Sequence, residues 1–377
     1  MHGDGKGRRV KILHINGNYI YSNLHQLMCN KLAELKIDNQ VFVPAFKGAV
    51  ANIDANKDVI VSECFNRNDR FFFYHKQNKI TSSVQDKVDF DSIDIIHAHT
   101  LFTDGNCAFE LSKKYDIPFI VAIRNTDINH FFKKRKLLKQ RGIKIALQAK
   151  KIIFLSEAYK RWMFENVFPA YLHEEIEKKS FVIPNGIDDF WFDNIPKQKQ
   201  EFDKKHIHLI YVGNIDKNKN IIKTQEAIDL LKENYDIKFT VIGPIKSQSE
   251  YKRVSSHKLT TCIEKQSKES LIDYYRNNDI FVMPSINETF GLVYAEAMSQ
   301  GLPVIYSQGQ GFDGQFEEGY IGYHVNSNSA LDIADKIQRI INHYQELTDH
   351  MQEAVNKFKW DTICSNYKEI YENIISL

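Results

Sequence analysis

The feature that most limits this chain's fold is an alternation written twice. Short apolar runs are separated by longer stretches with helical spacing. The first set reads as strands at 11–15, 40–43, 58–61, 93–96, 118–123 and 151–155, with helices at about 22–35 and 106–114. The pattern pauses at Pro184-Asn185-Gly186 and in the stretch 195–200, where the domain linker is expected. It then restarts with strands at 208–212, 239–242, 280–283 and 303–305 and a helix at 223–234, and two helices, about 329–347 and 361–375, close the chain. Continuous apolar strands alternating with helices are the mark of parallel, doubly wound α/β sheets. Two such sheets in series imply a cleft between them, with ligands held off the carboxyl ends of strands.

At 377 residues the chain is long enough for two such cores without a staple. Its formal charge is only +2, so nothing global points to nucleic acid and any anion site must be local. The five cysteines are scattered, with no C-x-x-C pair, as expected of reduced, mostly buried thiols in a cytosolic protein without a zinc site. No run of 18 apolar residues exists. Residues 1–9 are polar and read as a tag or frayed terminus rather than a secretion signal.

The most informative stretch is 283–298, M-P-S-I-N-E-T-F-G-L-V-Y-A-E-A-M. A strand ends at Met283, a loop carries Glu288, and a helix starting near Gly291 carries Glu296. Free amides near Phe290, Gly291 and Leu292 at a helix N-terminus suit a phosphate. Glu296, flanked by Ala295 and Ala297 in an apolar helix, needs a partner that a pair of ribose hydroxyls would supply. The competing reading is a surface glutamate beside a helix cap.

Glu288 and Glu296 have seven residues between them, within E-T-F-G-L-V-Y-A-E-A-M-S-Q-G-L-P-V. This resembles the E-x7-E signature of retaining GT-B glycosyltransferases, specifically glycosyltransferase family four. I-P-N-G-I-D at 183–188, Y-V-G-N-I-D-K-N-K-N at 211–220 and D-I-I-H-A-H at 94–99 are similar to further motifs of that family. The resemblance implies two Rossmann-like domains facing a cleft. Residues 10–190 would form the acceptor-side domain and 191–358 the domain that binds a nucleotide-diphosphate sugar, with helix 361–376 crossing back to the first. It implies transfer of a sugar to a hydroxyl with retention of configuration, in bacterial surface-polysaccharide or glycoconjugate synthesis.

Residue by residue, the resemblance assigns Glu296 to the donor ribose and Glu288 to hydroxyls of the transferred sugar. The amides of Phe290, Gly291 and Leu292 go to the diphosphate, and Lys219 to phosphate oxygens and the charge of the leaving group. No cofactor or metal is expected, the nucleotide sugar being the co-substrate. The chain also departs from the family. Asn214 stands where the family has an arginine, Arg124 stands where it has a histidine, and Gly17 alone remains of a glycine pair after the first strand. Arg124 is a candidate for the missing cation, against the alternative of a salt bridge to Asp127. Gly309 to Gly314 is a loop that either closes over the donor or is an ordinary surface loop. Two other readings stay open: a GT-B epimerase or phosphorylase, and a nucleotide-sugar-binding protein without catalysis.

His14 is expected in the core. His97 and His99 are expected on opposite faces of their strand, too far apart for a metal pair. The stretch 131–144 carries seven Lys or Arg and no acid. Lys133, Lys134, Arg135 and Lys136, with Phe131 and Phe132 dipping into the interface, are expected to hold a cytoplasmic protein on an anionic membrane surface; the alternative is a solvated charge run.

Overall fold

A computed structural model describes residues 9–21, 23–49, 58–196 and 202–376. Residues 1–8, Ser22 and the 197–200 part of the expected linker lie outside that set. The chain divides into two compact units: Met1–Leu155, Lys160–Ile183 and Trp360–Leu377 in the first, Ser156–Tyr159 and Pro184–Lys359 in the second.

Among the described residues the first unit is built on seven parallel strands, β1 (Lys11–Ile15), β2 (Asp38–Phe46), β3 (Val59–Phe65), β4 (Ile95–Ala98), β5 (Phe119–Ile123), β6 (Lys151–Phe154) and β7 (Ser180–Val182), in the order β3-β2-β1-β4-β5-β6-β7. The second has six, β8 (His206–Val212), β9 (Asp236–Ile242), β10 (Thr260–Ile263), β11 (Ile280–Val282), β12 (Val304–Ser307) and β13 (Gly322–Val325), in the order β10-β9-β8-β11-β12-β13. Each sheet reverses its winding once, at β1/β4 and at β8/β11. A ligand crevice opens where the connections diverge, beyond the carboxyl ends of those strands. The residues that follow β8 and β11 are the Lys219 and Glu288 segments.

The central strands β4, β5 and β11 are buried throughout, and β1 and β8 are buried apart from Lys11, His206 and His208, which is why they read as apolar runs. The strands that sequence alone did not reveal, β7, β10 and β13, all lie at sheet edges. An edge strand needs one covered side only, and these carry S-F-V, T-T-C-I and G-Y-H-V with mostly half-exposed side chains.

Two expected boundaries shift. The units change at Ile183 and Pro184 rather than at residue 190. The Ile183 amide still donates to Phe154 O at 2.9 Å in the first sheet, whereas the Ile187 amide donates to Phe358 O at 3.0 Å in the second unit. The helix expected at 329–347 is two, Ala330–Asn342 and Tyr344–Asp349, separated at His343. In the basic stretch, a π-turn at Asp127–Phe132 and a 3-10 turn at Lys136–Leu138 precede the helix Lys139–Gln148.

The last helix, Trp360–Ile375, belongs to the first unit. Its buried stripe, Trp360, Ile363, Cys364, Tyr367, Ile370, Tyr371 and Ile374, follows the three-and-four spacing of an amphipathic helix and joins Met28, Cys29 and Leu32 of the helix Leu24–Glu34 in one core. Each large apolar side chain buried there is worth about 1.5–3 kcal/mol, so this helix is integral to the unit.

Candidate active site

The loop after β8 and the loop after β11 are fastened together by Asn218 and Asn220. Asp216 caps the turn Lys217–Lys219 through the Lys219 amide at 3.2 Å. Asn218 Nδ2 donates to Asn287 O at 2.9 Å, and Asn218 O accepts from the Ile286 amide at 2.8 Å. Asn220, at φ 57° in the left-handed region where asparagine is tolerated, caps the next helix and donates from Nδ2 to Pro284 O at 3.1 Å and Ser327 O at 2.6 Å. Between these clamps Lys219 points its ammonium at Glu288, Nζ to Oε2 at 2.5 Å.

Glu288 is 9% exposed. Its Oε1 accepts from the Thr289 amide at 3.1 Å and its Oε2 from Ser285 Oγ at 3.3 Å, while Lys219 supplies the countercharge. A buried ion pair adds little net stability over an apolar pair, so packing alone does not account for it. The Gly309–Gly314 segment, either lid or surface loop on sequence grounds, braces this carboxylate's backbone. Gln310 Oε1 accepts from the Glu288 amide at 3.0 Å, and the Gly311 amide donates to Glu288 O at 3.2 Å. A Cβ on Gly311 would stand 1.8 Å from Thr289 O, so only glycine allows this approach.

Gly291 begins the helix Leu292–Ser299 at φ 77° and offers no side-chain cap, so the first-turn amides are left for a ligand. The Phe290 side chain is 2% exposed and packs against Phe312 and Phe358, so only its backbone can face a ligand. Glu296, half-buried on that helix, has no hydrogen-bond partner for its carboxylate among the described residues. Burial pushes its pKa up to about 7, against the weaker pull of Lys268, which is itself paired with Asp188. The Tyr275 hydroxyl, buried and also without a partner among the described residues, feels the Glu296 charge. A half-desolvated carboxylate with vacant acceptor capacity is poised to receive two hydroxyl donors.

Asn214 lies exposed after β8, its carbonyl accepting from Tyr211 Oη at 2.6 Å. Gly17 and Arg124 belong to the first unit. The Gly17 amide is already taken by Asp104 Oδ1 at 3.2 Å. Arg124 donates from Nε to His99 O at 3.2 Å. The Asp127 carboxylate is engaged by the amides of Leu101, Phe102 and Arg124 at 2.9–3.1 Å.

His97 and His99 share one face, contrary to the expectation, with rings stacked at 4.1 Å and 18°. Successive strand residues alternate, so residues two apart lie together and Ala98 takes the other side. With His14 they place three imidazoles within 4.8 Å, the spacing of a metal set. His97 Nδ1 meets the Tyr371 hydroxyl at 2.7 Å, while His97 Nε2 and His99 Nδ1 have no partner among the described residues; the His14–His99 contact needs no cation. Asn39 Nδ2 donates to Cys29 O and Ile37 O, so its Oδ1 accepts from His14 Nε2 at 2.9 Å; His14 Nδ1 then accepts from His99 Nε2 at 3.0 Å. Burial pushes the His14 pKa down to about 4 and that of His25 to about 3, and lowers His97 and His99 well below the ordinary value. The nearby Arg124 charge adds to the lowering for His25, His97 and His99, and it would also repel a metal ion.

The residues that sequence reasoning missed are Asn218, Asn220, Ser285 and Gln310. A signal for the first two was present, in the alternating K-N-K-N around Lys219.

Two sheets of this winding, with a carboxylate, a lysine and an open helix N-terminus gathered at the switch point of the second, define a GT-B protein. Two family models divide the chain between them: Glycosyltransferase Family 4 matches residues 26–189 and Glycosyl transferases group 1 matches residues 193–358. The chain is therefore a GT-B glycosyltransferase resembling family four.

It is 24% identical to an uncharacterised glycosyltransferase of Methanocaldococcus jannaschii, over 76% of this chain and 77% of that one. It is 25% identical to the alpha-monoglucosyldiacylglycerol synthase of Acholeplasma laidlawii, over 63% of this chain and 65% of that enzyme. Its fold matches the sucrose-phosphate synthase of Thermosynechococcus elongatus at a TM-score of 0.74 and 17% identity, covering 98% and 100% of the two chains. No described helix is long and apolar enough to cross a membrane.

Proposed function

We propose that the chain transfers a sugar from a nucleotide-diphosphate sugar to an acceptor hydroxyl with retention of configuration, in the synthesis of a bacterial polysaccharide or glycolipid. The observation that carries this reading is the Lys219–Glu288 pair, held at 2.5 Å beside an uncapped helix N-terminus. In this reading the amides of Phe290, Gly291 and Leu292 receive the diphosphate, and the Glu296 carboxylate receives the ribose hydroxyls. Lys219 turns from Glu288 to the phosphate as the donor enters. Glu288, freed of its countercharge, accepts hydrogen bonds from the transferred sugar beside a transition state with oxocarbenium character. The bond from the anomeric carbon to phosphate breaks, and the bond to the acceptor oxygen forms on the same face. The acceptor's proton passes to the leaving phosphate, whose growing charge Lys219 and the amides stabilise. The Acholeplasma relative is named for a glycolipid product, which supports a lipid-linked or sugar acceptor here.

No step in this scheme needs a divalent ion. Release of nucleoside diphosphate from a panel of nucleotide sugars, with the product's anomeric configuration read by NMR, tests the assignment. Turnover in excess chelator is expected to match turnover with magnesium. An inverted product, or activity lost to chelator and restored by magnesium or manganese, would overturn the corresponding part. Lys219→Ala is expected to lower turnover more than tenfold; a milder loss would shift the charge work to the helix amides.

A further inference from the structure

The first unit exposes large apolar side chains where globular surfaces rarely do. Leu137 is 99% exposed, Phe72 67%, Phe71 62% and Tyr74 55%. They come from two segments far apart in sequence that the fold lays side by side. Arg135 Nη2 donates to Arg70 O at 3.0 Å, and the Phe73 and Phe131 rings meet edge-on at 5.9 Å. The same two segments carry exposed cations, Arg67, Arg70, Lys133, Lys134 and Lys136, with Arg135 half-exposed among them. The acids of these segments do not offset that charge. Asp69 is buried and paired with Lys79 at 2.8 Å, and Asp127 is fully enclosed. Phe131 and Phe132, the expected apolar contacts, are each only 6% exposed. They pack on Phe102 and hold the basic segment against the domain, so any apolar insertion must come from elsewhere.

We propose that the tips at Phe71, Phe72 and Leu137, ringed by these cations, form a docking surface for an anionic lipid bilayer. Aromatic and leucine side chains enter the headgroup boundary while lysine and arginine stay at its charged surface. A ring of cations with no carboxylate partner among the described residues, set around apolar tips, matches a surface that is negative outside and apolar beneath. The surface lies on the first unit, apart in sequence from Lys219, Glu288 and Glu296, and does not depend on the proposed reaction.

Co-sedimentation with vesicles tests it. The intact chain is expected to pellet with equal parts phosphatidylglycerol and phosphatidylcholine, not with phosphatidylcholine alone, and to be released by about 0.5 M salt. Lys134→Gln/Lys136→Gln and Phe71→Ser/Phe72→Ser are each expected to weaken binding at least tenfold. Both should leave nucleotide-sugar hydrolysis by the soluble protein unchanged, which separates this result from the fate of the proposed reaction. Leu137→Trp is expected to shift its fluorescence to the blue only on the anionic vesicles. Equal recovery on both vesicles, no blue shift, or a dimer in solution that Phe71→Ser/Phe72→Ser dissolves would overturn the proposal, the last in favour of a second copy of this chain.

Discussion

At the scale of single residues, Glu296 makes the most distinctive prediction. Its pKa of about 7 means that the free site holds a mostly protonated carboxyl at about pH 6 and a carboxylate at about pH 8. The ionised form accepts two hydroxyls, whereas the protonated form has lost acceptor capacity. Affinity for an intact nucleotide sugar is therefore expected to rise with pH across that range, by up to roughly tenfold. Glu296→Gln should flatten the profile, and Glu296→Ala should weaken binding by about 1.5–3 kcal/mol. The intact donor is the right probe, because a terminal phosphate titrates near pH 6 itself. Calorimetry in two buffers of different ionisation heat reads the proton released on binding. Glu288→Gln is expected to behave differently, lowering turnover while nucleoside diphosphate still binds; wild-type turnover at saturating donor would refute its role.

At the scale of elements, the site depends on loops that hold one another. The Glu288 loop is clamped from one side by Asn218 and Asn220 and from the other by Gln310 and Gly311. Gly311→Ala would drive a Cβ into the Thr289 carbonyl, an atom that cannot move without its strand of backbone. It is expected to lower both melting temperature and turnover. Asn220→Ala removes two hydrogen bonds to the Pro284 and Ser327 carbonyls and a residue suited to positive φ, at a cost of about 1–3 kcal/mol. Urea melts give the stability term. Donor hydrolysis at temperatures where both variants remain folded shows whether Glu288 has lost its place.

At the scale of the whole molecule, proton balance sets the acid limit of the first unit. Four buried imidazoles, His14, His25, His97 and His99, stay neutral in the folded state and charge in the unfolded chain, so stability falls as pH drops below about 6.5 toward about 4. Asp104 and Asp127 act the other way. Burial raises their pKa to about 7 and about 6, so the folded state takes up protons before the unfolded chain does. Four imidazoles against two carboxylates leave a net loss, on the order of 2 kcal/mol per pH unit. Asp104→Asn removes one opposing group and is expected to steepen the loss. Thermal melts at about pH 7, 6 and 5 measure both slopes.

Sequence determined by itself what depends on periodicity and on local backbone chemistry. Runs covered on both faces marked the central strands, and the succession of loop, Gly291 and apolar helix placed Glu288 and Glu296 on their elements. Edge strands β7, β10 and β13 stayed hidden, because half-covered strands need no apolar run. Only the tertiary structure decided which distant segments meet. It set Lys219 against Glu288, 69 residues on, and gathered His14, His97 and His99 from two adjacent strands. It also buried Phe131 and Phe132 while leaving Phe71, Phe72 and Leu137 in water. The physical reason is that periodicity reports how much of an element is covered, whereas the identity of the covering atoms follows from strand order and loop path, which no local pattern encodes.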